Sequence, residues 1–138
     1  MIHRRRQIWR QHFLGRVAEW VTATILKLRG WEILARNLRT PYAEIDLLCA
    51  DESGLVIVEV KYRSSLFGDP VSFQQRTRLA RSASWLLGRI SCSDPRRKKG
   101  IRLDIILIRR HRWRIHWHHW RGCEAPVHGF RRWEADSQ

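Results

Sequence analysis

Residues 42–64, YAEIDLLCADESGLVIVEVKYRS, constrain the fold more than any other stretch, because their pattern is typical of a β-hairpin. Apolar runs within residues 45–49 and 55–60 flank a polar cluster, residues 51–54, that ends in glycine and marks a turn. A loop of two or of four residues places residue 50 opposite residue 55, whereas a loop of three or five would break that pairing. We predict the register in which residue 50 lies opposite residue 55.

Acidic side chains gather on one face of this predicted hairpin. The register places Asp46 opposite Glu59 and Glu44 opposite Lys61, and all four share a face because side chains alternate along a strand. Like charges that lie opposite each other destabilise a sheet. A divalent metal ion is the simplest compensation, since hard cations bind carboxylate oxygens. A solvated face of an ordinary hairpin explains the alternation equally well, and the charge of the whole chain favours the metal.

The charge is unevenly distributed along the 138 residues. The formal net charge is +14, but residues 41–66 carry five acidic and two basic side chains, so the rest of the chain holds +17. Such an excess favours a polyanionic partner, either nucleic acid or an anionic membrane. A locally acidic region within a basic protein is consistent with a metal site that contacts phosphate groups.

Cysteine usage and hydropathy indicate a reduced, cytoplasmic protein. Cys49, Cys92 and Cys123 are widely spaced and odd in number, which indicates neither a disulfide framework nor a zinc ribbon. The basic N-terminus is not followed by an apolar segment, so no secretory signal is predicted, and no apolar run is long enough to span a membrane.

The periodicity predicts the element order α-β-β-β-α-β-β in one domain, residues 13–120, after a loose basic arm, residues 1–12, and before a basic irregular tail, residues 121–138. It predicts a mixed α/β fold with a central sheet flanked by helices, in which the helical crossover brings residues 101–108 parallel to one hairpin strand. The predicted helices span residues 15–29 and 72–90; the predicted strands span residues 31–39, 101–108 and 113–117, and residues 91–100 form a basic loop.

From Gly15 to about Ile108 the chain resembles the YraN family of uncharacterised, endonuclease-like bacterial proteins. The resemblance rests on EID at residues 44–46 and VEVKYR at residues 58–63, with further landmarks at these positions: Gly15, Glu19, Gly30, Asn37, Phe67, Gly68, Arg102, Leu103 and Asp104. It departs from the family at Ala43, where a glycine is usual, and at Gln75, where a lysine is usual.

The resemblance implies a restriction-endonuclease-like αβββαβ core, distantly similar to archaeal Holliday-junction resolvases. It further implies that Asp46 and Glu59 bind Mg²⁺ or Mn²⁺, that Lys61 orients the water or stabilises the transition state, and that Glu19 binds a second metal ion or a metal-bound water. Related proteins often work as dimers, although this chain shows no clear interface, so a homodimer is one expectation.

Basic and polar residues around this site are candidates for phosphate contacts, which would give salt-dependent binding without sequence specificity. They are Arg63, Gln75, Arg76, Arg78, Arg81, Arg96, Arg97, Lys98 and Lys99. A solvated helix face explains any single one of them equally well.

Histidines and tryptophans crowd the C-terminal part, HRWRIHWHHW at residues 111–120. Their spacing fits a half-buried edge strand better than a zinc site formed by His116, His118 and His119. Core positions are predicted for Trp20, Trp31 and Trp85. Stacking on unpaired bases and packing are alternatives for Trp9, Trp117, Trp120 and Trp133. A nucleophilic pair of Cys123 and His128 has no support.

Two function classes remain open. The first is a metal-dependent endonuclease that acts on DNA, including branched DNA, and the complete set of Asp46, Glu59 and Lys61 favours it. The second is a non-catalytic module that binds DNA or RNA and retains the nuclease fold, which Ala43 and Gln75 favour. DNA is the more expected partner, and a membrane is not expected.

Overall fold

A computed structural model describes residues 2–64 and 71–123 of the chain, and the side chains from Arg5 onward. It contains these elements: α1 (Ile2–Leu28), β1 (Glu32–Arg39), β2 (Glu44–Asp51), β3 (Gly54–Arg63), α2 (Phe73–Arg89), α3 (Pro95–Lys98), β4 (Ile101–His111) and β5 (Arg114–Trp120). The predicted landmarks Phe67 and Gly68, the tail from residue 124, His128 and Trp133 lie outside the described residues.

The five strands form one mixed sheet in the order β1-β2-β3-β4-β5. Neighbouring strands are antiparallel except β3 and β4, which are parallel and are joined through α2 and α3. This topology confirms the predicted αβββαβ core and the parallel placement of residues 101–108 beside the hairpin.

The hairpin has the predicted register. The β2–β3 pairs run from Asp51 opposite Gly54 to Leu47 opposite Val58 and include Ala50 opposite Leu55, so the loop has two residues. Gly54 has φ +123, and a Cβ atom there would approach the Lys99 Cβ atom to 2.8 Å. Both the backbone conformation and the close approach therefore require glycine at this position.

Apolar side chains cover both faces of the sheet. One face packs against α1 through Ala18, Ala23 and Leu26, and the other face packs against α2 through Leu79 and Leu86. Strand residues alternate between the two clusters, as expected for a sheet that is buried on both sides.

The first helix is longer than predicted. It begins at Ile2 rather than at Gly15, so the prediction of a loose arm over residues 1–12 was wrong in its secondary structure. Arginine, glutamine and leucine are good helix formers, and a single glycine in a helix costs only about 1 kcal/mol. The helix therefore continues through Gly15. The division into domain, arm and tail otherwise stays a prediction.

Other elements follow the prediction with shifted ends. Ser72 caps α2 by accepting a hydrogen bond from the Gln75 backbone N–H, and both late strands are longer than expected. The basic loop contains the short helix α3, because Asp94 caps it and Pro95 occupies its first turn. Trp20 is 61% exposed, so its predicted core position was wrong, whereas Trp31 and Trp85 pack against the core clusters.

A buried ionic network joins β4 to β5. Asp104 is fully buried and accepts hydrogen bonds from Arg102 Nε (2.9 Å) and from the Gly122 N–H (3.1 Å), and it bonds His119 Nε2 (2.8 Å). Arg102 also pairs with Asp51 at 2.6 Å, and its guanidinium lies over the Trp31 ring. Burial raises the pKa of Asp104, but the hydrogen bonds from His119 and Arg102 outweigh it, so the pKa lies below its ordinary value.

We predict that Asp104→Ala lowers the free energy of unfolding by about 3–5 kcal/mol, because it leaves the partly buried Arg102 charge without this carboxylate. Urea unfolding at neutral pH measures the loss. The matched control is Glu52→Ala, an exposed acidic residue in the hairpin loop, which should change stability by less than about 0.5 kcal/mol. Equal effects of the two substitutions would contradict the structural role of Asp104.

Candidate functional site

The two hairpin strands stop pairing where the predicted site begins. Beyond Leu47 and Val58 the ladder ends, and Asp46 Oδ2 accepts a hydrogen bond from the Val60 backbone N–H at 2.8 Å. Ile45 belongs to the α2-side cluster and Leu47 to the α1-side cluster, so strict alternation is interrupted at Asp46. This interruption lets the Asp46 carboxylate reach the backbone of the neighbouring strand.

Asp46 and Glu59 form a carboxyl pair. Glu59 is only 3% exposed, and the charges of the two carboxyl groups act on each other. Burial, and next the negative charge of Asp46, raise the pKa of Glu59 to about 7, while burial also raises the pKa of Asp46. Burial and the nearby like charge both oppose the ionised form of Glu59, so the two carboxyl groups are an unfavourable pair unless a positive charge or a proton is present.

Two donors fix one oxygen of Glu59. Lys61 Nζ lies 2.9 Å from Glu59 Oε1, and Gln75 Nε2 donates to the same atom at 2.8 Å. The other oxygen, Oε2, is buried and has no hydrogen-bond donor among the described residues. Glu59 thus has one carboxyl oxygen with two donors and one without a donor among the described residues. A buried oxygen without a hydrogen bond lowers the free energy of unfolding.

The donor set fits a hard divalent cation. Both side chains supply carboxylate oxygens, and the buried Glu59 Oε2 atom has the chemistry of a ligand atom. Mg²⁺ is commonly bound by one or two carboxylates while it keeps several waters. Asp46 and Glu59 could therefore hold Mg²⁺ or Mn²⁺ without a third side chain.

Glu19 lies beside the carboxyl pair on α1. Burial, and next the negative charge of Asp46, raise its pKa, so the charges of the two residues act on each other. Within the described residues no three His, Cys, Asp or Glu side chains are close enough to hold one ion, so Glu19 does not complete the pair. Its role as a metal ligand stays a prediction. Glu44 is half-exposed and pairs with Arg39 at 3.8 Å rather than with Lys61.

The predicted phosphate-contact residues fall into two groups. Arg63 ends β3 close to Lys61, and Gln75, Arg76, Arg78 and Arg81 belong to α2, the helix that bonds Glu59. This group lies on the elements that form the site.

The second group, residues 96–99, lies at the opposite end of β3. The Leu55 N–H donates to the Gly100 carbonyl, and Leu55 precedes Glu59 by roughly 13 Å along the strand. Arg96 pairs with Asp94 and Glu32, Arg97 donates to the Leu87 carbonyl, and Lys99 donates to the Glu52 carbonyl. The structure does not bring this group to the carboxyl pair, and any phosphate contact there would be separate from it.

The histidines of β5 have other partners. His119 bonds the buried Asp104, and the rings of His116, His118 and Trp120 stack in sequence along the strand. No metal-binding group of His or Cys side chains occurs in the described part of the chain. The edge-strand prediction is confirmed, because β5 is the last strand of the sheet.

Sequence reasoning missed two features of the site. The helical spacing places Gln75 in the first turn of α2, but only packing brings that turn to Glu59, so no local signal reveals this hydrogen bond. The alternation of residues 44–49 likewise contains no sign that the pairing of β2 with β3 is interrupted at Asp46.

The fold and the site define an α/β protein with an αβββαβ core, whose central hairpin carries a partly buried aspartate and a buried glutamate beside a lysine. The model of the uncharacterised protein family UPF0102 matches residues 18–108, and the chain belongs to this family, as its YraN-like motifs predicted.

Relatives in the family come from distant bacteria. A UPF0102 protein of Parvibaculum lavamentivorans is 37% identical over 107 residues, which cover 75% of this chain and 77% of the relative. One of Aquifex aeolicus is 43% identical over 75 residues, which cover 54% and 73%. One of Granulibacter bethesdensis is 38% identical over 96 residues, which cover 68% of this chain but only 59% of the relative, less than two thirds of its length.

Among the described residues, no helix combines the length and the apolar character that a membrane crossing requires.

We predict that Glu59→Gln makes the protein more stable at pH 8. The pKa of Glu59 is raised from 4.5 to about 7, so between these values the folded state binds more protons than the unfolded state. The free energy of unfolding therefore falls as the pH rises through this window, by about 3 kcal/mol for this group. Glutamine has nearly the same shape as glutamate and does not titrate.

Urea unfolding at pH 5, 6, 7 and 8 in the presence of a chelator tests this sign. The pH-dependent loss should be much smaller in Glu59→Gln than in the wild type, and Glu52→Gln, in the exposed loop, should behave like the wild type. An unchanged pH dependence in Glu59→Gln would show that Glu59 is not the group that titrates.

Proposed function

We propose that this protein is a metal-dependent endonuclease that hydrolyses phosphodiester bonds in DNA. The observation that carries the proposal is the carboxyl pair formed by the buried Glu59 and the partly buried Asp46, which has Lys61 at its side and lies where the regular pairing of the hairpin strands ends. Burial of two carboxyl groups is unfavourable unless a proton or a cation offsets it. The basic remainder of the chain supports a phosphate-containing substrate.

Each residue of the site has a distinct task in this proposal. Asp46 and Glu59 would hold Mg²⁺ or Mn²⁺, which when bound lowers the pKa of a coordinated water and acts as a Lewis acid. Lys61 places its ammonium group next to Glu59 and stabilises the negative charge that builds on the phosphate oxygens. Glu19, on the other side of the pair, orients a water by accepting a hydrogen bond.

Gln75 is a positioning residue in this proposal. Its amide donates to the same Glu59 oxygen as Lys61, which leaves Oε2 as the free ligand atom. A neutral amide at this position supplies a hydrogen bond without adding a charge that would compete with the cation. The departure from the usual lysine is therefore compatible with catalysis.

The substrate backbone would lie along Arg63 and the exposed arginines of α2, Arg78 and Arg81. These residues contact phosphates, which carry no sequence information, so binding should depend on salt and on DNA structure rather than on sequence.

We predict that Asp46→Asn and Glu59→Gln each reduce metal-dependent cleavage by at least about 100-fold, since each removes a proposed ligand. Gel assays on single-stranded, duplex and branched DNA with Mg²⁺ or Mn²⁺ measure the rate, and Glu52→Gln is the matched control. If the wild type binds DNA but cuts no substrate, and both variants bind equally well, the protein is instead the non-catalytic binding module.

Metal binding has an independent readout. We predict that excess Mg²⁺ or Mn²⁺ at pH 8 raises the melting temperature of the wild type by about 5 °C, because an ion that binds only the folded state stabilises it. Asp46→Asn should lose this shift, and a chelator should reverse it in the wild type. A shift of equal size in both proteins would place the ion elsewhere.

A further inference from the structure

The N-terminal half of α1 continues beyond the carboxyl pair, in the direction in which β3 and β4 also continue. Glu19 lies beside Asp46, whereas Leu28, the last residue of α1, leads through a short turn to Glu32, which pairs with Ala50 at the other end of β2. The nine residues from Glu19 to Leu28 span about 14 Å of helix, which matches the about 13 Å from Asp46 to Ala50 along the strand. Residues before Gly15 therefore continue beyond the site.

This part of the helix, residues 5–17, is named here the α1 extension. Residues 5–13 are all exposed, so no part of the described chain covers them. At 1.5 Å per residue the extension is about 20 Å long. It thus forms a helical surface adjacent to the carboxyl pair.

The α1 extension combines exposed aromatic rings with positive charges. Trp9 and Phe13 are 77% and 66% exposed, and the nearby Trp20 is 61% exposed. Four arginines lie on the same stretch and no acidic residue precedes Glu19; the arginines are Arg5, Arg6, Arg10 and Arg16.

The rings and the charges share one side of the helix. Residues three and four apart are neighbours on a helix surface. Arg6 therefore neighbours Trp9 and Arg10, and Phe13 neighbours both Trp9 and Arg10. Aromatic groups that stack on bases and cations that contact phosphates are combined in this way on surfaces that bind unpaired nucleic acid.

We propose that the α1 extension binds the unpaired bases of a DNA strand next to the bond that is cleaved. Trp9 and Phe13 stack on bases, and Arg6 and Arg10 contact the phosphates between them. The substrate class is therefore DNA with a single-stranded segment beside the site. This inference rests on the proposed function for its position, but its test measures binding alone.

Charge and pattern disfavour two other occupants. A helix that lies on a membrane separates its apolar face from its charged face, whereas Arg6 and Arg10 lie among the rings here. A second copy of the extension would bring arginine against arginine, and like charges repel. Nucleic acid matches both the charges and the rings.

The test is equilibrium binding by fluorescence anisotropy without added metal ions, so that cleavage does not interfere. The probes are a DNA duplex with a single-stranded tail of about ten nucleotides and the same duplex with the tail fully paired. Trp9→Ala combined with Phe13→Ala should weaken binding of the tailed duplex about tenfold or more, change binding of the paired duplex less than about threefold, and leave the salt dependence unchanged.

Charge removal should give a different result. Arg6→Gln combined with Arg10→Gln should weaken binding of both probes and reduce the slope of log affinity against log salt by about one to two. Trp113→Ala is the matched control, because this ring is 80% exposed at the β4–β5 turn, and it should bind like the wild type. Circular dichroism and thermal melting should match the wild type in all variants, since every substituted side chain is exposed.

Several outcomes would overturn the inference. The first is that the aromatic variant binds the tailed duplex as tightly as the wild type. The second is that the wild type is a dimer, which the aromatic substitutions dissociate while DNA binding is unchanged. The third is that the extension binds anionic vesicles and not DNA. If no metal ion supports cleavage but the aromatic variant still loses tailed-duplex binding, the proposed catalysis fails, whereas the binding of unpaired bases by the α1 extension stands. Asp46→Asn should bind the tailed duplex at least as tightly as the wild type.

Discussion

Two neighbouring carboxyl groups, a buried one on Glu59 and a partly buried one on Asp46, are the constraint on which the rest of this structure depends. The regular pairing of β2 with β3 stops after Leu47 and Val58, and the Asp46 carboxylate accepts a hydrogen bond from the Val60 N–H. In a regular ladder that N–H would bond a backbone carbonyl, and Asp46 would lack this attachment to β3. The local break in the sheet therefore fixes Asp46 beside the strand that carries Glu59.

The surrounding elements hold this unfavourable arrangement in place. Strand β3 is buried along nearly its whole length, so Glu59 cannot turn toward solvent without disturbing the core. Helix α2 supplies Gln75 from one face of the sheet, and helix α1 brings Glu19 from the other. The Asp104 network ties β4 to β5 and to the end of β2, and it stabilises the fold with paired charges. Asp104 lies opposite Val58, the neighbour of Glu59, so adjacent positions of the sheet hold a carboxylate with several partners and a carboxyl group with one buried oxygen that lacks a donor among the described residues.

This contrast also explains how stability and function oppose each other. The hydrogen bonds to Asp104 lower its pKa, whereas burial raises the pKa of Glu59. A protein under selection for stability alone has no reason to place two carboxyl groups together in an apolar hairpin. In the proposed function, a cation held by Asp46 and Glu59 would offset their repulsion and would make the same arrangement useful for chemistry at a phosphate.

Local patterns in the sequence determined the hairpin, its two-residue loop, the capped helix α2 and the membership of Asp46, Glu59 and Lys61 in one cluster, because period-two alternation, turn residues and caps act over a few neighbouring positions. The same patterns failed at residues 1–12, where Gly15 suggested a helix start that the good helix formers around it overrode. Only the tertiary structure decided that residues 96–99 lie away from the site, that Gln75 bonds Glu59, and that the start of α1 extends past the carboxyl pair. These contacts depend on how helices cross the sheet, and such packing joins residues that are distant in the chain and carry no shared local signal.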